Sequence, residues 1–538
     1  MSLFSLLATA ILTACGSGSG SDAGTASGSG SVVGSPKSMG AGDVVYVDLS
    51  SGSASAEFPS SGTFKVLLQS HATDGLTNTY TLSSVSAAGK SLGLGEMQSD
   101  LTLAESELAD QDLLDSTLRD NDLYWSSQDL GAGMAKFLSS SKSVSKGAGG
   151  DINAAISKED TATLYVLNSL TDTTDCVQVT ATAKYVGSNV AVFIDNEILD
   201  NNAKDLSQSD IDAMGAIYDD QFTDVTGWLG GVSDINSDGA TIALITSQIN
   251  KLTSSGGGIV TGYFNSDDFS DYNAGSNPCS NAREIVYLVS PDSDGIYSTK
   301  VSNGFWKSNF GPSVFPHELQ HLINHYQRVV VKGAAAESAC LNEGLSHLVE
   351  DLVGYNVENY SRYDLFLASP QSYSACGGTS LALRGGIYLF LRYLYERSGN
   401  STTFLKNMVQ SSDKSYTNIV NAFPSKTSDF DSIGEFLRQW ATALVYTNSA
   451  VSTAAKFKYN DRVKNATTSN WEGVCMDCSA QDNRGTILTG PTYGTYSGGS
   501  FSLKDAATRF LKISSNPSSI TFSANTASKG YAIILRTQ

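Results

Sequence analysis

All but one of the five histidines in this sequence fall between His317 and His347. His317, Glu318 and His321 form an HExxH pattern, which on a helix turns two imidazoles to one face, about 40° apart around the axis. Two imidazoles placed in this way can chelate one Zn²⁺, with a carboxylate beside them to hold a water molecule. The spacing therefore predicts a helix that carries a catalytic zinc site.

The residues before this pattern suit the start of a helix. Ser313 is a favoured capping residue, and Pro316 would fall in the first turn, where its missing N–H costs nothing. We therefore expect the zinc-binding helix to begin at Ser313.

A catalytic zinc site needs a third protein ligand and an open fourth position. His325 lies two helical turns beyond His317 and cannot reach the same ion without distorting the helix, so we expect it beside the site or on the surface. The metzincin pattern would need a histidine where the chain has Gln327. Glu343 remains, in a run over 341–352 whose leucines repeat at helical spacing. That run can pack beside the first helix and direct Glu343 at the metal.

HELQH followed by LNEGLSHLVEDL resembles the gluzincin arrangement, and more closely the hyicolysin-type family of bacterial metallopeptidases. By that resemblance His317, His321 and Glu343 bind zinc, and Glu318 is the general base that activates a zinc-bound water. The resemblance is specific only around the two motifs. Where thermolysin-like enzymes have an aspartate four residues after the ligand glutamate, this chain has His347.

Two further features bear on the substrate. The Gly-x-Met-x-Asn run of gluzincin aminopeptidases is absent, which favours an endopeptidase acting on polypeptides. The strand Glu284 to Val289 would suit an extended substrate paired along a sheet edge, although an ordinary buried strand is equally compatible. The candidate donors to the developing oxyanion are Tyr326, His347, Tyr388 and Tyr393.

A second metal site is one interpretation of the loop from Asp234 to Gly239. Its oxygen-bearing side chains alternate before a glycine, as in the first half of a Ca²⁺ loop. The twelfth position is Ile245 and not glutamate, so a tight polar turn is the other interpretation.

The first residues indicate the compartment. The run from Leu3 to Leu12 is apolar, too short to span a bilayer, and soon followed by Cys15. Residues 1–15 thus resemble a bacterial lipoprotein signal peptide with Cys15 as the lipidated residue; an ordinary secretory signal is the alternative. Residues 16–40 are a Gly/Ser-rich tether, and Gly16 indicates the outer membrane by resemblance to lipoprotein sorting rules. We expect a protein lipid-anchored to the bacterial cell envelope, or secreted.

Charge and cysteine content agree with export. The net charge of -20 over 538 residues repels phosphate backbones, so we expect no nucleic-acid partner. The even number of cysteines after Cys15 predicts disulfides whose pairing stays open, apart from a local bridge between Cys475 and Cys478.

Hydrophobic patterning predicts an α+β protein. Residues 41–185 form an N-terminal β-rich domain with an acidic helix over 98–120, whose acidic side chains we expect to face solvent. The resemblance extends over residues 186–450 and implies a zincin-like metallopeptidase domain there, with a mixed sheet, the HExxH helix and a helical subdomain. Residues 451–538 return to strand alternation and form a C-terminal β-domain.

The leading hypothesis is a membrane-anchored zinc metalloendopeptidase. The alternative is a surface binding or adhesion lipoprotein whose zincin-like domain is not catalytic. A third interpretation is a core helix whose histidines are satisfied without a metal.

Overall fold

The structure, a computed structural model, describes residues 31–33, 35–73, 79–86, 109–127, 155–202, 205–253, 258–270, 275–298, 300–478, 490–514 and 517–538. The strands in these ranges are β1 (Ser31–Val33), β2 (Val44–Asp48), β3 (Ser53–Glu57), β4 (Phe64–Gln69), β5 (Thr79–Ser86), β6 (Thr161–Leu167), β7 (Cys176–Val186), β8 (Val190–Asp195), β9 (Thr241–Thr246), β10 (Gly262–Tyr263), β11 (Ile285–Val289), β12 (Val463–Lys464), β13 (Trp471–Glu472), β14 (Gly494–Thr495), β15 (Gly499–Lys504), β16 (Thr508–Ile513), β17 (Ser519–Ala524) and β18 (Tyr531–Arg536).

The helices in the same ranges are α1 (Ala109–Ser127), α2 (Asn196–Asn202), α3 (Gln208–Leu229), α4 (Ser247–Leu252), α5 (Asn303–Ser308), α6 (Phe310–His325), α7 (Ala339–Leu352), α8 (Asn359–Ala368), α9 (Leu381–Arg397), α10 (Thr402–Val409), α11 (Ser415–Ala422) and α12 (Ile433–Tyr446). Within the described ranges, no helix has both the length and the apolar character needed to cross a membrane. The mixture of helices and several sheets agrees with the predicted α+β class.

A central sheet holds six strands in the order β10-β11-β9-β8-β7-β6. β8, β9 and β11 are parallel neighbours with every residue buried, which explains their nearly uninterrupted apolar sequences. β11 is interior, because β10 pairs with it on the outside. The edge strand on this side of the sheet is therefore β10, and the strand at Glu284 to Val289 is an ordinary buried strand.

The sequence predicts that the helix with the HExxH pattern begins at Ser313, and this is wrong. α6 begins at Phe310, so Pro316 lies inside the helix and offers no N–H to the carbonyl of Pro312. Gln221 of α3 donates to that carbonyl instead, with its Nε2 at 2.7 Å. A bond from another helix thus replaces the one that proline removes, and the local sequence does not reveal it.

Two further sheets combine strands from distant parts of the chain. Their orders are β1-β2-β18-β4-β16-β14 and β15-β5-β17-β3, and buried side chains from both form one apolar core. We call this pair of sheets the terminal sandwich. It differs from the expectation of separate β-domains at 41–185 and 451–538, since β18 pairs with β2 on one side and β4 on the other. Alternation shows that a strand has one buried face, but not which strand pairs with it.

The predicted boundary at residue 186 also differs from the strand pairing. β6 and β7 precede it, yet β7 pairs with β8 and so belongs to the central sheet.

The cysteines after Cys15 pair as Cys176–Cys279, Cys340–Cys376 and Cys475–Cys478, which confirms the predicted disulfides and the local bridge.

The acidic helix does not present its carboxylates to solvent as expected. Asp110, Asp115 and Asp122 of α1 are buried, and Asp115 forms an ion pair with Arg384. Those two residues are 269 positions apart, so the sequence around 98–120 contains no sign of the partner. The part of the predicted helix before α1 lies outside the described residues.

Candidate metal centre

His317, His321 and Glu343 come together between two packed helices. The histidines lie one turn apart on α6, and Glu343 lies on α7. Nε2 of His317 is 3.4 Å from Oε2 of Glu343, and Nε2 of His321 is 3.4 Å from Oε1. One ligand atom from each residue lies within 4.8 Å of the other two. The fold thus brings together the three side chains singled out in the sequence.

The spacing of these atoms suits a small cation. In a tetrahedral zinc site with bonds of about 2.0–2.1 Å, ligand atoms lie about 3.3 Å apart. Glu343 is fully buried, and its Oε1 has no hydrogen-bond partner among the described residues. A buried carboxylate oxygen without a donor is costly, and a metal ion at this point would remove the cost.

A glycine beside Glu343 allows the second helix to lie close to its neighbour. A Cβ added at Gly344 would be 2.5 Å from Cγ1 of Ile387 on α9. α7 is therefore held between α6 and α9, and this packing fixes the position of Glu343.

Glu350 orients the first histidine. Its Oε1 is 2.6 Å from Nδ1 of His317 and 3.1 Å from Nδ1 of His347. Burial alone would raise the pKa of Glu350, but the two rings outweigh it and lower the pKa, so Glu350 is ionised. An ionised carboxylate at Nδ1 leaves Nε2 of His317 free to face Glu343 and a metal.

Arg384 forms an ion pair with Glu343. Its Nη1 donates to Oε2 of Glu343 at 2.8 Å. Burial opposes ionisation of Glu343, but Arg384 and His321 hold the pKa of this carboxyl well below its usual range. Glu343 is therefore an anion, as a metal ligand must be.

Glu318 follows His317 and lies beside the sheet edge. Burial raises its pKa to about 8, against the opposing influence of His317. A carboxyl with a pKa near neutrality can both accept and release a proton. A Cβ added at Gly262 of β10 would lie 3.5 Å from Cγ of Glu318, so the edge strand passes close to this carboxyl.

The other histidine and tyrosine candidates are engaged elsewhere. His325 is buried near the site with its Nδ1 3.5 Å from Asp122, and it does not join the three convergent residues.

The candidate oxyanion donors pair as Tyr326 with Ser233, His347 with Glu350, Tyr388 with Asp351 and Tyr393 with Lys456. Burial lowers the pKa of His347 to about 4, so with Nδ1 donating to Glu350 its Nε2 can only accept a hydrogen bond.

The loop from Asp234 to Gly239 folds as a polar turn. The carboxylate of Asp234 accepts hydrogen bonds from the backbone N–H groups of Asp238 and Gly239, at 3.1 and 3.0 Å. Asp238 in turn accepts from Asn236. The described residues contain two groups of His, Asp, Glu or Cys side chains close enough to share an ion, and neither includes this loop.

Cys15, the predicted lipidation site, lies outside the described residues.

Two residues at the site had no role in the sequence analysis. Glu350 lies two helical turns after Glu343. This spacing places both side chains on one face of α7, so the sequence could have predicted that Glu350 also faces α6. Arg384 carried no such sign, because only the packing of α9 against α7 brings it to Glu343.

Comparison with known proteins gives one distant relationship. No family model matches the chain. The chain is 25% identical over 285 residues to the neutral metalloprotease ShpI of Staphylococcus hyicus, covering 49% of this chain and 58% of that protein. The chain thus spans less than two thirds of the length of this relative. The similarity supports a relationship to metallopeptidases and agrees with the His/Glu group between α6 and α7.

Proposed function

We propose that this protein is a zinc-dependent metalloendopeptidase. The observation that carries the proposal is the convergence of His317, His321 and Glu343, with Glu318 next to His317 on the same helix. Two imidazoles and one carboxylate form a donor set suited to Zn²⁺, and one position stays open for water or substrate.

The side chains have distinct tasks in peptide hydrolysis. Bound Zn²⁺ would supply a water of lowered pKa and polarise the scissile carbonyl. Glu318 takes the proton of the attacking water and delivers it to the leaving amine. Glu350 and Arg384 act as positioning residues, because they orient His317 and Glu343 without touching the substrate.

A polypeptide substrate would lie along β10 in extended form. This strand forms the edge of the central sheet and passes beside Glu318. Backbone hydrogen bonds to a sheet edge bind a peptide irrespective of its side chains, and they place the scissile bond near the metal. This geometry favours an endopeptidase.

The location at the bacterial envelope is part of the same proposal. Three disulfides within the described residues suit an oxidising compartment outside the cytoplasm. The apolar run before Cys15 suits export with a lipid anchor on that residue.

One experiment tests the activity. Purified protein should contain about one zinc per chain, and Glu318→Gln should abolish casein hydrolysis while the zinc content is kept. Glu57→Gln is the matched control, because Glu57 is an exposed carboxylate of the terminal sandwich, and it should leave hydrolysis unchanged. Undiminished hydrolysis by Glu318→Gln would reject the proposal.

A further inference from the structure

Helix α1 lies against the edge strand that the substrate would use. Thr261 donates its backbone N–H to Oε1 of Gln111 at 2.8 Å, and Nε2 of Gln111 donates to the carbonyl of Gly262 at 3.2 Å. One amide side chain thus binds a backbone donor and a backbone acceptor at the outer edge of the central sheet. An incoming extended peptide would use such groups for its own hydrogen bonds.

The same helix is linked to the candidate metal centre through the carboxylates that surround Arg384. Asp115 accepts a hydrogen bond from Nη2 of Arg384, and Asp112 lies 3.3 Å from that nitrogen. Arg384 uses its other terminal nitrogen for Glu343. Only one side chain therefore separates the carboxylates of α1 from a proposed zinc ligand.

The second half of α1 contacts the end of α6 and the segment that follows β10. Asp122 lies 3.5 Å from Nδ1 of His325, on the turn after His321. Asn121 donates to Asp267, at 2.8 Å, in the segment that follows β10. Leu114 and Leu118 are buried in the same apolar core as the central sheet. α1 is thus fixed by hydrogen bonds, ion pairs and apolar packing.

The groups that would carry out the reaction are buried in the arrangement that includes α1. The exposed fractions are 8% for His317, 4% for Glu318, 2% for His321 and 0% for Glu343. A polypeptide cannot reach groups this buried without a change in the structure around them, and α1 is the element that contacts the edge strand beside Glu318.

We propose that α1 is an autoinhibitory helix that occupies the substrate cleft and must leave it before a polypeptide can bind. The inference rests on the proposed metalloendopeptidase function. In this arrangement Gln111 takes the place of the substrate backbone at β10, and Asp115 holds the helix to Arg384.

A double substitution on α1 tests the inference in the full-length zinc-loaded protein. Gln111→Ala combined with Asp115→Ala removes the hydrogen bonds of α1 to β10 and the ion pair of Asp115 with Arg384, and it leaves His317, Glu318, His321 and Glu343 unchanged. We expect kcat/KM for a peptide substrate to rise about tenfold or more, the factor that corresponds to one charged hydrogen bond. Hydrogen exchange of the α1 amides should accelerate, while the zinc content stays the same. Asp120→Ala is the matched control, since Asp120 is exposed on the same helix and should change neither quantity.

Faster exchange of α1 with unchanged or lower kcat/KM would overturn the inference. A measurement on the unsubstituted protein is independent of any folding defect in the variant. A dipeptide hydroxamate, which chelates zinc and lies along the cleft, should accelerate exchange of the α1 amides. Binding of the hydroxamate with unchanged protection of α1 would also overturn the inference.

The two proposals fail in different ways. Zinc-dependent hydrolysis that requires Glu318, together with anchor substitutions that free α1 without effect on activity, would reject autoinhibition alone. Absence of zinc and of hydrolysis from every protein, including the variant with α1 freed, would reject the enzymatic function and the autoinhibition with it.

Discussion

Oε1 of Glu350 lies 2.6 Å from Nδ1 of His317, while Nε2 of the same ring lies 3.4 Å from Glu343. Glu343 and Glu350 are two turns apart on α7, so one helix contacts both nitrogens of a histidine on α6. Both ring nitrogens therefore face a carboxylate, and a flip of the ring would lose these contacts. This arrangement fixes the direction of the lone pair that would bind a metal.

Glu350→Gln should weaken zinc binding by 10- to 100-fold, the usual effect of losing a carboxylate behind a metal-binding histidine. The affinity can be measured by competition with a chelator. Glu396→Gln is the control, because Glu396 also has a largely buried side chain paired with an arginine, Arg392, but is not among the groups around His317 and His321. Equal affinities for the Glu350 and Glu396 variants would contradict the assigned role.

Gly344→Ala should lower the free energy of unfolding by about 1–3 kcal/mol, because the new methyl group would overlap Ile387. Zinc affinity should fall as well, since α7 must shift and carries Glu343. Adding Ile387→Ala makes room for the methyl group, so the double variant should be more stable than the sum of the single effects predicts. Purely additive effects in urea denaturation would count against the contact.

The disulfide at the start of α7 should contribute more to stability than the local bridge. Cys340 and Cys376 are 36 residues apart, and Cys475 and Cys478 are 3 apart. Replacing both cysteines by serine should cost about 4 kcal/mol for the first pair and about 2 kcal/mol for the second, because the larger loop restricts the unfolded chain more. Equal losses in denaturant unfolding would show that loop size is not the deciding factor.

Stability of the terminal sandwich should depend on pH through His71. The ring is buried, stacks on Tyr531 at 4.4 Å, and contacts Oε1 of Gln69 at 2.6 Å. Burial first, and then the charges of Arg438 and Lys529, lower the pKa of His71 well below its ordinary value.

A pKa that is lower in the folded state means that the unfolded chain binds the proton more readily. The stability is therefore present above about pH 6.5 and is lost as the pH falls below it, by up to about 1.4 kcal/mol per pH unit. Urea denaturation at pH 7, 6 and 5 should show that the advantage over His71→Gln shrinks toward acid pH. Parallel pH profiles for the two proteins would contradict the assignment.

The sequence was most informative where one local motif contains the chemistry. The period of a helix is enough to place His317, Glu318 and His321 together, and the leucine stripe over 341–352 brings Glu343 to face them. Residues that act across long separations carried no such pattern. Arg384 beside Glu343 and Gln221 beside Pro312 depend on how helices pack.

Strand pairing was the other feature that the sequence did not reveal. Period-two alternation identified the apolar runs at both ends of the chain, but an alternating strand fits many partners equally well. The acidic helix was misjudged for a related reason. A run of carboxylates in a sequence predicts a solvent-exposed face. The buried Arg384 that pairs with Asp115 comes from a distant helix, so the local sequence does not reveal it.

The place of β18 between β2 and β4 has a consequence for biosynthesis. Contacts in this region join residues as far apart as Met39 and Arg536, 497 positions along the chain. β2 and β4 are synthesised long before β18, the strand that lies between them, so their hydrogen-bonding edges stay unpaired until β18 is available. The terminal sandwich therefore cannot be completed before β18 is synthesised, and a protein that aggregates during production should do so through these unpaired edges.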